Sequence, residues 1–238
     1  MTVVVAFVLA LMATGLKPIH DRNEAIFNKK AVLGAIETRL GEDVKAKDLP
    51  DDEVLVIFDE QIQQLVVDIN GNPVSSDEVE GRGYKGGLAE HIDMKKEKKR
   101  NVEDRIFPVY IYTGDNGEKL YIVTVRGNGL WDEIWGNIAL RDDFQTVVGA
   151  SFDHQQETPG LGAEIKDNPS FGAQFEGKNL YDTDGTYTSV VVRKGGARND
   201  RYEVDGISGA TVTCDGVSKM LYDGLSYYHP YFESQKKS

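Results

Sequence analysis

"FPVYIYTGDNGEKLYIVTVRG" (residues 107–127) sets two runs of β-branched and aromatic residues on either side of "TGDNGE". Gly114, Asp115, Asn116 and Gly117 are residues that reverse a chain at low cost, so the two runs are expected to be antiparallel strands of one hairpin. Working outward, "TVVGASF" (146–152) and "TSVVVRKG" (188–195) also read as strands. So do "VLVIF" (54–58) and "QLVVDI" (64–69), the latter followed by the turn signal "NGNP". These runs do not alternate regularly with helical patterns. The expected fold class is therefore α+β, a mostly antiparallel sheet with packed helices.

Two helical patterns stand out. In residues 20–40, Ile26, Phe27, Val32, Leu33, Ile36 and Leu40 fall mostly three or four apart, which predicts an amphipathic helix that ends before Pro50. Val217, Met220, Leu221, Leu225 and Tyr228 mark one apolar face of a second helix, expected from about Thr213 to Tyr227. Residues 71–105 are polar and charged and read as an irregular excursion with a short helix within 93–103. No internal repeat is evident.

At 238 residues and 40% hydrophobic composition the chain can bury a substantial core. Its net charge of −12 argues against a nucleic-acid partner, and the basic run "KKEKKR" (95–100) reads as solvated surface among acids. The single cysteine, Cys214, excludes an internal disulfide and any site built from several thiolates.

The opening "TVVVAFVLALMATGL" (2–16) carries no charge, and its apolar residues surround a helix rather than forming a stripe. Its fifteen residues would cover about 22 Å against a hydrocarbon core of roughly 30 Å. It is expected to be an N-terminal transmembrane helix, an uncleaved anchor that continues upstream, because no basic leader or cleavage site accompanies it. The organisation expected is an anchor at 1–16, an amphipathic helix and linker at 17–48, and a soluble domain at 49–238. Lys17, Arg22, Lys29 and Lys30 would place that domain inside, a weak signal when the following domain is long.

Most familiar chemistries fail on spacing. "GISGA" (206–210) has Ala210 where a nucleophile elbow needs glycine, and the four histidines show no paired metal-ligand spacing. "RGNGLWDEIWG" lacks the glycine pattern of a dinucleotide loop. Trp131 and Trp135 within it read as core, or as a wall for a flat ring. "HQQETPGLGAEI" (154–165) reads as a turn, or as a loop whose glycines let backbone approach a ligand. In "DGISGATVTCDGV" (205–217), Ser208, Thr211 and Thr213 stand among small residues ahead of the last helix. A hydroxyl there is a helix cap, or a seat for a phosphate beside the positive end of the helix dipole.

Together, "GNGLWDEIWG", "ETPGLGAEI" followed by "KGGA" (194–197), and "DGISGATVT" occur in the order and approximate separation found in one family. Along nearly its whole length the chain resembles the NqrC subunits of the sodium-translocating NADH:quinone reductases. It is more distantly similar to the RnfG subunit of the Rnf electron-transport complex. The resemblance implies FMN joined by a phosphoester to Thr211, installed by a flavin transferase that recognises Ser208, Gly209 and Ala210 together with Asp205. It implies that Glu157, Thr158, Gly160, Leu161 and Gly162 form a loop along the flavin, that Leu130 and Trp131 flank the ring, and that Lys194 opens a glycine turn nearby. The FMN-binding core would lie at about 107–230. Also implied are electron transfer coupled to Na⁺ export by partner subunits, and a single-pass protein of the cytoplasmic (inner) membrane. Its soluble domain would lie on the periplasmic side, contrary to the charge count. No catalytic acid or base and no metal is implied. Cys214 stands where serine is common in the family. The alternatives are an RnfG-type subunit and a membrane-anchored, non-redox binding or scaffold domain whose "SGAT" turn is a helix cap.

Overall fold

A computed structural model of the chain describes residues 2–236. Five strands, β1 (Ile62–Asp68), β2 (Ile106–Thr113), β3 (Lys119–Asn128), β4 (Glu133–Leu140) and β5 (Val147–His154), form an antiparallel sheet in sequence order. The hairpin read from residues 107–127 is β2–β3, with Val109 opposite Val123 and Thr113 opposite Lys119. A separate pair, β6 (Val191–Arg193) and β7 (Glu203–Asp205), is parallel.

Helices cover both faces of the sheet, each over its own apolar layer. On one face lie α1 (Thr2–Gly34), α2 (Asp51–Gln61) and two short helices, α3 (Ser76–Gly81) and α4 (Met94–Glu97). Val32, Leu33 and Ile36 of the α1 region pack there with Val54, Phe58, Ile122 and Val148. On the other lie α7 (Thr211–Ser226) and α8 (His229–Gln235), preceded by the short α5 (Glu164–Asp167) and α6 (Pro169–Ala173). Val217, Met220, Leu221, Leu225 and Tyr228, the face expected from their spacing, are all buried against Val123, Val125 and Ile134.

The seating of α7 places the site. Cβ atoms built on Gly216 and Gly224 would meet Asn128 O and Val125 Cγ1, and one built on Gly127 would meet Met220 Cβ. The helix therefore runs against the direction of β3 in close contact, and its N-terminus arrives at the β3–β4 turn.

Two expectations are corrected, and two further features add to the reading. "VLVIF" is helix α2, not a strand: Pro50 sits at its N-cap, Asp51, Asp52 and Glu53 fill its first turn, and only Val54 and Phe58, four apart, are buried. Acids at the positive end of the helix dipole outweighed β-branched propensity. In 188–195 only Val191–Arg193 is strand, because the buried Ser189 holds a left-handed φ of 59° that breaks the extension. Strand β4 went unread, although it is central. The apolar opening and the amphipathic pattern form one helix through Pro18, which ends at Gly34 and is followed by a 3₁₀ turn at Glu37–Arg39. Val5, Phe7, Leu9, Leu11, Met12 and Leu16 are exposed on its first half, while Ile26, Val32 and Leu33 are buried on its second. Among the described residues, no helix is long and apolar enough to cross a membrane.

Candidate functional site

Thr211 is the first residue of α7, two positions earlier than the start expected from sequence. Residues 207–210 form a tight turn, with Ala210 N–H donating to Ile207 O (3.1 Å) and Gly209 at φ 80°, a left-handed position that glycine fills without strain. The first helical bond runs from Cys214 N–H to Ala210 O, and no side chain caps the helix. The three hydroxyls of this stretch have different surroundings. Thr213 is 1% exposed and donates to Glu157 Oε2 (2.6 Å), Ser208 is exposed in the turn, and Thr211 is half-buried at the helix end. Cys214 is buried, its thiol pKa raised by burial, and Ile207 N–H donates to its sulfur.

Two loops meet this helix end. Gly129 N–H donates to Asp132 O (2.8 Å), closing the β3–β4 turn with Leu130 and Trp131 at its tip. Trp131 is 67% exposed, contrary to a core reading, and its Nε1–H donates to Thr158 Oγ1 (3.1 Å). Thr158 also anchors the loop after β5, where its carbonyl accepts from the N–H groups of Leu161 and Ala163 (both 3.1 Å), and Gly160 lies at φ 74°. Leu161 is exposed, and its Cδ2 lies 2.7 Å from where a Cβ on Gly209 would stand. Glu157, by contrast, is only 5% exposed, and its carboxyl points inward to Trp131 N–H (2.9 Å) and Thr213. The result is an open rim of apolar side chains, Leu130, Trp131, Leu161 and Val212, around the start of α7. Such a rim can hold a flat ring, while the helix end favours an anion.

The remaining expected residues lie just behind. Asp205 Oδ1 accepts from Ala197 N–H (2.7 Å), joining the "KGGA" turn to the end of β7. Lys194 approaches only by its backbone, its side chain being exposed. Buried Glu203 organises that turn, accepting from Arg193 Nε (2.7 Å), Arg198 N–H (2.8 Å) and Asn199 N–H (3.1 Å). Burial would raise its pKa, but these bonds outweigh it and hold the carboxyl below the usual range. A carboxyl depressed in the fold stabilises above its unfolded pKa and loses that contribution as pH falls through the folded value. Glu203→Gln is therefore expected to cost about 2 kcal/mol at pH 7. Its gap to the parent should narrow below about pH 4, as read by melts across that range.

Sequence reasoning offered Thr213 only as a cap or phosphate seat and not as a partner of Glu157, it missed Val212, and the residue pattern alone did not separate the two tryptophans, of which only the resemblance singles out Trp131. Trp135 lies on β4 facing the α1 side, with the Arg126 guanidinium 4.8 Å above its ring. It lines a cavity of about 930 Å³ between α1, the segment after it and the sheet, to which none of the expected site residues contributes.

Residues 129–226, which contain both loops and the whole of α7, match the family of FMN-binding domains. The NqrC subunit of the Na(+)-translocating NADH-quinone reductase of Pseudomonas aeruginosa is 32% identical, over 93% of this chain and 89% of that protein. The crystal structure of the corresponding protein from Parabacteroides distasonis superposes with a TM-score of 0.75 at 32% identity, covering 91% of this chain and 96% of that one. That of Shewanella oneidensis NqrC superposes with a TM-score of 0.70 at 25% identity, covering 91% and 98%. The matched region, the five-stranded sheet and the site at the head of α7 lead to one conclusion: the chain belongs to the NqrC family of Na(+)-translocating NADH-quinone reductase subunits.

Proposed function

We propose that this chain is the electron-transfer subunit of a Na⁺-pumping NADH:quinone reductase and carries FMN joined through a phosphoester to Thr211. The observation that carries the reading is the position of Thr211. Of the three hydroxyls in the stretch it alone is both accessible and seated on the uncapped N-terminus of a sixteen-residue helix, with exposed Leu161, Trp131 and Val212 around it. FMN, when bound, supplies the redox chemistry. The chain's residues supply the rest. The first N–H groups of α7 would hold the phosphate and offset its charge. Trp131 and Leu161 would hold the ring system, and Ser208, Gly209, Ala210 and Asp205 would present the threonine to a flavin transferase. No side chain here is required to move a proton.

The exposed apolar residues on the first half of α1 are the membrane-facing part of an anchor, with the remaining domain outside the cytoplasmic membrane and the other reductase subunits beside it. Mass spectrometry of the Thr211 peptide from protein isolated from its native membrane tests the attachment. The expected result is an added FMN phosphoester on that peptide; a bare peptide throughout would overturn the proposal.

A further inference from the structure

We infer that Glu157 is a positioning residue: its buried carboxyl group locks the Trp131 turn and the first turn of α7 into one arrangement. The inference rests on the reading above, in which Trp131 and Thr211 border the flavin.

Three stretches far apart in sequence converge on this one group. Oε1 accepts from Trp131 N–H at 2.9 Å, and Oε2 accepts from the Thr213 hydroxyl at 2.6 Å. Both neighbouring glycines are fitted to it. A Cβ on Gly129 would stand 2.5 Å from Oε1, and one on Gly162 would stand 2.4 Å from Oε2 and 2.6 Å from Thr213 Oγ1. A Cβ cannot approach so near, so each glycine makes room for the carboxyl and its partner. The backbone of Glu157 is held as well, its N–H donating to His154 Nδ1 (3.1 Å) at the end of β5.

Glu157 is thus tied through its backbone to the end of β5 and through its carboxyl to the Trp131 turn on one side and to α7 on the other, and the carboxyl faces away from the open rim. Its effect on a ring lying in that rim passes through Trp131 and α7. Removing it leaves a buried hydroxyl and a backbone N–H without their acceptor, which frees the turn that carries Trp131. A glutamine keeps the shape: its oxygen can accept from Trp131 N–H, and its amide can donate to a reversed Thr213 hydroxyl.

The test uses the full chain without flavin, carrying ¹⁵N-labelled tryptophan, with Trp135→Phe to assign the two backbone N–H signals. Hydrogen exchange at the Trp131 backbone N–H, which donates to Glu157 Oε1, reads how firmly the turn is held. Glu157→Ala is expected to speed this exchange about ten-fold, as for loss of an ordinary hydrogen bond, while Glu157→Gln stays within about two-fold of the parent. Should Glu157→Ala fail to fold, Thr213→Val removes the other bond while keeping the volume, and it too is expected to speed exchange. Unchanged exchange in a folded Glu157→Ala, or in Thr213→Val where the alanine variant does not fold, overturns the inference. So does a Glu157→Gln variant as loose as alanine. Flavin attachment is scored separately on the parent, so its absence would overturn the proposed function while leaving the exchange result intact.

Discussion

Thr211→Val should give a folded, colourless protein in cells where the parent emerges yellow. The change removes one hydroxyl and nothing else of consequence to the fold. No side chain caps α7, so no cap is lost, and the helix bond from Cys214 to Ala210 O does not involve the substituted side chain. Melting should therefore shift by no more than a few degrees, the usual range for a surface change of under 1 kcal/mol in a chain of this size. Flavin absorbance should fall to background, because the neighbouring hydroxyls are poor substitutes. Thr213 is buried with its hydroxyl committed to Glu157, and Ser208 lies three residues earlier, outside the helix end that would receive the phosphate. Thr211→Ser keeps an acceptor hydroxyl at the same place and should retain attachment. A yellow Thr211→Val protein with the added mass on Ser208 would show that accessibility, and not the helix end, selects the residue.

Most of the fold was legible where local chemistry and tertiary burial agree. The β2–β3 hairpin announced itself because its turn residues and its flanking strands are contiguous, and α7 because Val217, Met220, Leu221 and Leu225 keep a helical spacing that packing rewards. Strand β4 was hidden by its own composition. Glu133, Trp135 and Asn137 face the α1 side, Ile134, Gly136 and Ile138 face α7, and Gly136 is held against Phe152, so the usual polar–apolar alternation is masked. In "PDDEVLVIF" the acids and the proline were the stronger evidence, since charge at a helix start acts locally while strand propensity depends on partners this segment lacks. For the site, the three motif stretches could be placed by resemblance, but their mutual contacts could not. The bond from Thr213 to Glu157 joins residues 56 apart and leaves no periodic or local trace. The same limit explains why spacing alone leaves Trp131 and Trp135, four apart in sequence, together, and only the resemblance picks out Trp131: one lies on a turn and the other on strand β4, whose pattern is masked.

Gly216→Ala is expected to be strongly destabilising, although alanine is the better helix former. A Cβ at this position would stand 2.4 Å from Asn128 O and 3.4 Å from Gly129 Cα, and both are backbone atoms of the hairpin that carries Trp131. A flexible side chain could swing aside, but a strand backbone held in its ladder cannot, so α7 must lift. Overpacking of this kind costs up to about 3 kcal/mol, against which the higher helix propensity of alanine returns about 1. The net loss of about 2 kcal/mol corresponds to a melting point roughly 4–8 °C lower for a chain of this length. Gly81→Ala is the matched control, since nothing lies within 4 Å of its added methyl, and it should leave the melting point unchanged or slightly raised. The site should report the same displacement independently of stability: because the intruding methyl presses where β3 leaves the sheet, the Trp131 turn and the N-terminus of α7 are driven apart, and flavin attachment at Thr211 should fall even at temperatures where Gly216→Ala is fully folded. Equal melting of Gly216→Ala and parent would mean that the helix does not seat on β3 at this depth, and the geometry that brings Thr211 to the Trp131 turn would fall with it.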